Sequence, residues 1–223
     1  MKCKHCVSKS EIKAVGFDFD GTLFLTEGEK SRIAAETLQF VCKAKNARSE
    51  YVKLVGTGLS THDKFRRLYR KLCGRPTEEQ IKALEAVFDM QYKKQLNSCP
   101  LVQCASVLKD IRKNVKSLFL VSLTDQKLLI EALKHCGLHK YFTDIYGGSN
   151  KLAKFKKVLK KYKLKPHEVL YVGDAKNDAL QSMKAKIHFV GMTSKPDKSK
   201  VLQKMGAHTT IKNLCEFPST LAE

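Results

Sequence analysis

Residues 13–22 read KAVGFDFDGT: a short apolar run, two aspartates one residue apart, then a glycine and a threonine. The run has the length and character of a buried strand, and the alternation of side chains along an extended chain sends Asp18 and Asp20 to one side while Phe19 points to the other. Two carboxylates so close repel one another unless a cation or a shared proton compensates. Gly21 allows the chain to turn straight after them. A lone acidic pair before a glycine is most simply a turn, so the rest of the chain decides what this pair means.

Working outward, the same pattern of apolar run followed by polar residues recurs in Ser117–Ser122 (SLFLVS), Asp144–Gly147, Val169–Gly173 (VLYVG) and Ile187–Val190 (IHFV), with Thr209–Ile211 as a candidate edge strand. Helical periodicity fills the gaps over 100–114, 125–137 and 151–163. The last of these, KLAKFKKVLKKYK, has an apolar stripe of Leu152, Phe155, Val158, Leu159 and Tyr162. Strands alternating with helices predict an α/β fold, a doubly wound Rossmann-like parallel sheet. Between the first and second strands the pattern is almost wholly helical, with segments near 28–45, 49–55, 61–73 and 77–97. A single crossover helix cannot use that length. The expectation is an inserted all-helical cap domain, residues 27–97, in a core made of residues 11–26 and 98–223.

The chemistry-bearing residues fall at strand ends. Gly173-Asp174 and Asp178 (GDAKND) close the strand at 169–173, adding hard oxygen donors of the kind Mg²⁺ prefers. Ser122 ends another strand and offers a hydroxyl and a following backbone N–H to a phosphate oxygen. Lys151 opens the basic helix and brings a charge to the same group, with Lys154 one turn later as the competing position. Open α/β sheets bind ligands at this edge.

DFDGT, Ser122, Lys151 and GDAKND stand in the order of the four motifs of the haloacid dehalogenase superfamily, and the chain resembles its phosphatase branch over residues 13–191. LKPHEVLYVG (164–173) and Phe189-Val190-Gly191 are similar to the phosphoglycolate-phosphatase-like group. The resemblance implies that Asp18 is a nucleophile forming an aspartyl-phosphate and that Asp20 is the general acid and base, with its carbonyl on the metal. It implies Asp18, Asp20, Asp174 and Asp178 around Mg²⁺, and a phosphate held by Gly21, Thr22, Ser122, Leu123 and Lys151. Asp20 separates the phosphatases from dehalogenases, phosphonatases and transport ATPases, while sugar phosphomutases share it. The Leu123-Thr124-Asp125 stretch after Ser122 departs from relatives that often have Asn there, and Leu25-Thr26-Glu27 departs from their usual cap entry. In the cap, Thr57, Arg66 and Arg67 are candidates for substrate selectivity, with Arg70 and His62 nearby.

Composition bounds the alternatives. Lys and Arg number 42 against 22 Asp and Glu, a net charge of +20. Such a field draws any anion, including RNA. The readings to compare are therefore a Mg²⁺-dependent phosphatase of a small phosphorylated metabolite, a basic polyanion-binding protein, and a phosphatase of nucleic-acid ends. No membrane span is expected, because the apolar runs are far too short, and the N-terminus lacks a signal-peptide block. A cytoplasmic monomer or homodimer follows. On that view the eight cysteines are reduced thiols, with the C-x-x-C pair Cys3 and Cys6 the one candidate for part of a zinc site.

Overall fold

The computed structural model describes residues 7–8 and 11–222. Its strands are β1 (Val7–Ser8), β2 (Ala14–Phe17), β3 (Ser117–Val121), β4 (Asp144–Tyr146), β5 (Val169–Gly173), β6 (His188–Met192), β7 (Thr209–Ile211) and β8 (Leu221–Ala222). The helices are α1 (Glu27–Cys42), α2 (Ala47–Lys53), α3 (Thr61–Leu72), α4 (Glu78–Leu96), α5 (Val107–Asn114), α6 (Gln126–His135), α7 (Lys151–Tyr162), α8 (Lys176–Ala185) and α9 (Pro196–Lys204). The chain divides into two compact units, Met1–Leu25 with Leu101–Glu223, and Thr26–Pro100.

The first unit is α/β. Six parallel strands run in the order β4-β3-β2-β5-β6-β7, and β1 pairs separately with β8. This is the doubly wound parallel sheet expected from the sequence. Strands β2, β3 and β5 are buried along their whole length, which is why they read as continuous apolar runs rather than alternating ones. Chain order grows from β2 toward β4 on one side and from β5 toward β7 on the other, so the direction of winding reverses between β2 and β5. Open sheets bind their ligands at such a switch point, beyond the carboxyl ends of the strands. Phe119, Phe155, Tyr171 and Phe189 anchor the core between the sheet and its helices, and the Phe155 and Tyr171 rings meet edge to face at 4.7 Å.

Three local differences from the sequence reading have physical causes. Helix α5 begins at Val107 rather than near 100, because Leu101 forms a bridge with Phe24 and Cys104 takes a left-handed conformation at φ 61°. Helices α8 and α9 were not expected. In α8 the buried face carries Asp178 and Ser182 among its alanines, so its apolar stripe is broken by polar residues. The expectation of reduced thiols is overturned: Cys42 is bonded to Cys73 and Cys104 to Cys215, with Cα atoms 5.5 and 5.1 Å apart. These partners lie 31 and 111 residues apart in sequence and meet only through tertiary structure. Among the described residues Cys99 and Cys136 are free; Cys3 and Cys6 lie outside them.

The second unit is the helical one, α1 to α4. Tyr51, Phe65, Phe88 and Tyr92 form its aromatic centre, with ring centroids 5.6–6.3 Å apart along the chain of contacts. Ser60 caps α3 by accepting the Asp63 N–H, and Thr77 with Gln80 forms a reciprocal capping box on α4, satisfying N–H groups that a helix start leaves open. Cys42–Cys73 staples the end of α1 to the end of α3. No helix among the described residues is long and apolar enough to cross a membrane.

Candidate active site

The acidic cluster is built at the carboxyl ends of β2 and β5. Asp18 N–H donates to the Val172 carbonyl at 2.9 Å, carrying the strand pairing one residue past β2. Phe19 is then driven into the interior, where it stacks on Phe24 at 4.4 Å, and that burial aims Asp18 and Asp20 the other way. Gly21 makes the turn at φ 72°, a conformation costly for other residues. A β-carbon there would also come within 2.8 Å of the Asp174 carboxylate. On β5, a β-carbon on Gly173 would meet Asp178 at 2.6 Å. Both glycines let a carboxylate approach the backbone.

Asp18, Asp174 and Asp178 each offer an oxygen within 4.8 Å of the other two, and all three are buried. Lys151 Nζ lies 2.7 Å from Asp18 Oδ1 and 2.5 Å from Asp178 Oδ1. Burial, and next the Asp178 charge, push the Asp18 carboxyl up to about 7, against a smaller opposing pull from Lys151. Burial likewise raises Asp178 and Asp174, opposed by Lys151 and Lys198 respectively. Burial disfavours the Lys151 ammonium too, but Asp178 and Asp18 outweigh it and hold the lysine charged. The buried Lys151 ammonium and the partly exposed Lys198 face three buried carboxylates, which leaves negative charge in excess, and Asp18 Oδ1 receives no aligned hydrogen bond. The donor set is all oxygen and the charge deficit is that of a cation, so these residues fit a hard divalent metal ion.

The neighbouring residues complete the shell. Ser122 is buried at the end of β3 and its Oγ accepts the Thr124 N–H at 3.2 Å. Asp20 stands outside the three-carboxylate cluster, its Oδ2 accepting a hydrogen bond from Thr124 Oγ1 at 2.6 Å. Thr22 is buried with an Oγ1 that finds no partner among the described residues, and Leu123 is half-buried. Lys154 donates to the carbonyls of Ser122 and Gly148, whereas Lys151 makes the ion pairs with the aspartates. Burial and the adjacent Lys151 charge bring Lys154 down to about 8. Of the two lysines, Lys151 is the one that reaches Asp18.

Three residues here were missed by sequence reasoning. Tyr171 donates to the Val121 carbonyl at 2.6 Å and accepts from Lys151 Nζ at 3.3 Å, joining β5, β3 and α7 under the cluster. The signal was a hydroxyl inside the otherwise apolar VLYVG. Lys198, on α9, holds Asp174 Oδ2 at 2.6 Å, and no local pattern marked it. Thr124 stood out only as a departure from relatives.

In the helical unit, Arg66 is engaged with Glu78 at 2.6 Å and with His62 at 2.9 Å, and His62 also meets Glu85 at 3.0 Å. Thr57 donates to the Leu54 carbonyl at 2.7 Å, while Arg67 and Arg70 are exposed.

The model of the haloacid dehalogenase-like hydrolase family matches residues 15–192. The chain belongs to that family. Among curated relatives of this hydrolase, the phosphoglycolate phosphatase of Vibrio vulnificus strain CMCP6 is 27% identical over 200 residues, covering 84% of this chain and 86% of that protein. Among solved structures, a protein described as a predicted phosphoglycolate phosphatase from Haemophilus somnus 129pt superposes with a TM-score of 0.81 at 21% identity, over 94% of this chain and 97% of that one. A mutant of CbbY from Rhodobacter sphaeroides, in complex with xylulose-(1,5)bisphosphate, superposes with a TM-score of 0.77 at 16% identity, over 95% of this chain and 100% of that one. At those identities the structural likeness concerns the fold.

Proposed function

We propose that this hydrolase is a Mg²⁺-dependent phosphatase of a small phosphorylated acid or sugar, phosphoglycolate foremost, acting through a phosphorylated Asp18. The observation that carries the reading is the meeting of Asp18, Asp174 and Asp178 with Lys151 at the switch point of the sheet. A bound Mg²⁺, held by Asp18, Asp174 and the Asp20 carbonyl with Asp178 beside it, would neutralise charge between the Asp18 carboxylate and the phosphate oxygens.

In the first half-reaction an Asp18 carboxylate oxygen attacks phosphorus, the ester P–O bond breaks, and the leaving oxygen takes a proton from Asp20. In the second, Asp20 accepts a proton from water as the water oxygen attacks phosphorus. The bond between phosphorus and Asp18 breaks, freeing phosphate. Ser122 has its Oγ engaged as an acceptor from Thr124, so its own O–H is left to donate to a phosphate oxygen. Lys151 offsets charge on the same group, and Gly21, Thr22 and Leu123 line it. This kind of transfer is mainly positioning and charge neutralisation.

The helical unit serves in this reading as the cap that selects substrate, with Thr57, Arg67 and Arg66 as its polar candidates. The ties of Arg66 to Glu78 and His62 favour a scaffolding part for that residue. A cytoplasmic location belongs to this reading, but the two disulfides oppose it, since a reducing cytosol opens most disulfides; cell fractionation under thiol-trapping conditions tests it, and bonds found oxidised in the cell would refute it. The activity is tested by phosphate release over a metabolite panel with Mg²⁺ or EDTA. Release from phosphoglycolate or p-nitrophenyl phosphate is expected with Mg²⁺ and lost in Asp18→Asn. No release from any ester would refute the reading, and steeply salt-dependent RNA binding in its place would favour a polyanion-binding role.

A further inference from the structure

We propose that Thr124 is a positioning residue for the proton-transferring carboxyl of Asp20, an inference that rests on the acid–base role given to Asp20 above. The Thr124 hydroxyl donates to Asp20 Oδ2 at 2.6 Å. The residue making that bond is itself fixed at both backbone groups: its N–H donates to Ser122 Oγ at 3.2 Å, and its carbonyl accepts the Gly148 N–H at 2.8 Å. Thr124 is buried, whereas Asp20 is only partly so.

A carboxyl that first gives and then takes back a proton has to present the same oxygen to the leaving group and to the incoming water. An unrestrained carboxyl rotates and exchanges its two oxygens. With Oδ2 engaged as an acceptor, a bond available whether Asp20 is protonated or ionised, the proton is favoured on Oδ1. The hydroxyl therefore selects which oxygen carries it. In the first half-reaction the Oδ1 proton passes to the leaving oxygen as the ester bond breaks, and in the second a water proton returns to Oδ1. Thr124 neither gains nor loses a proton in either step. The side chain comes from the loop after β3, so one short segment supplies both the phosphate-facing Ser122 and the restraint on the acid.

The test compares Thr124→Val, Thr124→Ala and Thr124→Ser on two substrates that differ in leaving group. One is p-nitrophenyl phosphate, whose leaving group needs no proton. The other is 2-phosphoglycolate, or the best alkyl phosphate from the screen, whose alkoxide does. Folding of each variant is checked by its thermal transition. A hydrogen bond to an ionisable group is worth roughly tenfold or more in rate. Thr124→Val and Thr124→Ala should lose about that factor in kcat/KM on the alkyl phosphate, beyond any loss on the aryl one. Thr124→Ser, which keeps the hydroxyl, should return close to the parent. Equal losses on both substrates, or a serine variant as impaired as valine, would overturn the proposal. Asp20→Asn run on the same pair separates the two readings. If it lacks leaving-group selectivity, the acid–base role itself fails; if it has it and Thr124→Val does not, only the positioning role fails.

Discussion

Replacing Lys151 by Met removes the ammonium that touches both Asp18 and Asp178 while keeping an unbranched stem of similar length. The lysine side chain is 3% exposed, and those of its partners 8% and 0%. Solvent cannot replace it there. Removing one partner of a buried ion pair costs about 3–5 kcal/mol. At about 2–4 °C per kcal/mol for a chain of this size, that is a fall of roughly 6–20 °C in the Tm of the α/β unit. The loss has a pH signature. Without the lysine, Asp18 and Asp178 hold their protons to still higher pH than in the parent, so the variant escapes more of the penalty at pH 5 than at pH 8. The assay is thermal unfolding of parent and variant in EDTA at both pH values, repeated with millimolar Mg²⁺. Mg²⁺ should raise the variant's Tm more than the parent's, because it supplies the missing positive charge. Equal melting temperatures at pH 8 in EDTA, or a deficit that is the same at pH 5 and pH 8, would refute the account of Lys151 as the counter-charge of the cluster.

Two further outcomes are expected. In the metal-free parent, Asp18 stands at about 7 against an ordinary 3.8, so its contribution is fully present below the ordinary value and lost as pH rises through the folded one. That amounts to up to about 4 kcal/mol. His188, held below its usual value by burial and next by His208, works in the opposite sense, adding stability as pH rises toward the ordinary 6.5; chemical denaturation from mildly acidic to mildly basic pH, with and without Mg²⁺, should show a decline that the metal abolishes. Reduction of the two disulfides frees loops spanning 31 and 111 residues, each worth about 3–5 kcal/mol by loop entropy. Dithiothreitol should therefore lower the Tm by roughly 10 °C or more, and an unchanged Tm would show that the bonds contribute nothing in solution.

The parallel sheet was legible because β2, β3 and β5 are buried on both faces and so appear as uninterrupted apolar runs. Asp18 and Asp174 were legible for a related reason: each directly follows such a run, and parallel strands bring their carboxyl ends to one edge, while Asp178 lies in the first turn of the helix after β5. What escaped notice depends on contacts between distant segments. Lys198 is one lysine among many, and its pairing with Asp174 across 24 residues leaves no periodic trace. Tyr171 reads as one more core aromatic until its hydroxyl is seen between Val121 and Lys151. Helix α8 was hidden by the polar residues on its inner face, since the buried Asp178 and Ser182 occupy positions where an amphipathic pattern requires apolar residues. The cysteine partners were invisible because bonding depends on proximity in space.

The Cys104–Cys215 bond joins the segment that opens the return to the sheet with a stretch near the other end of the chain. A protease that cut a single peptide bond anywhere between those two cysteines would leave the fragments covalently tethered. On a non-reducing gel such nicked protein would travel as one band of nearly full mass, separating into two only after the sulfur bridge is opened.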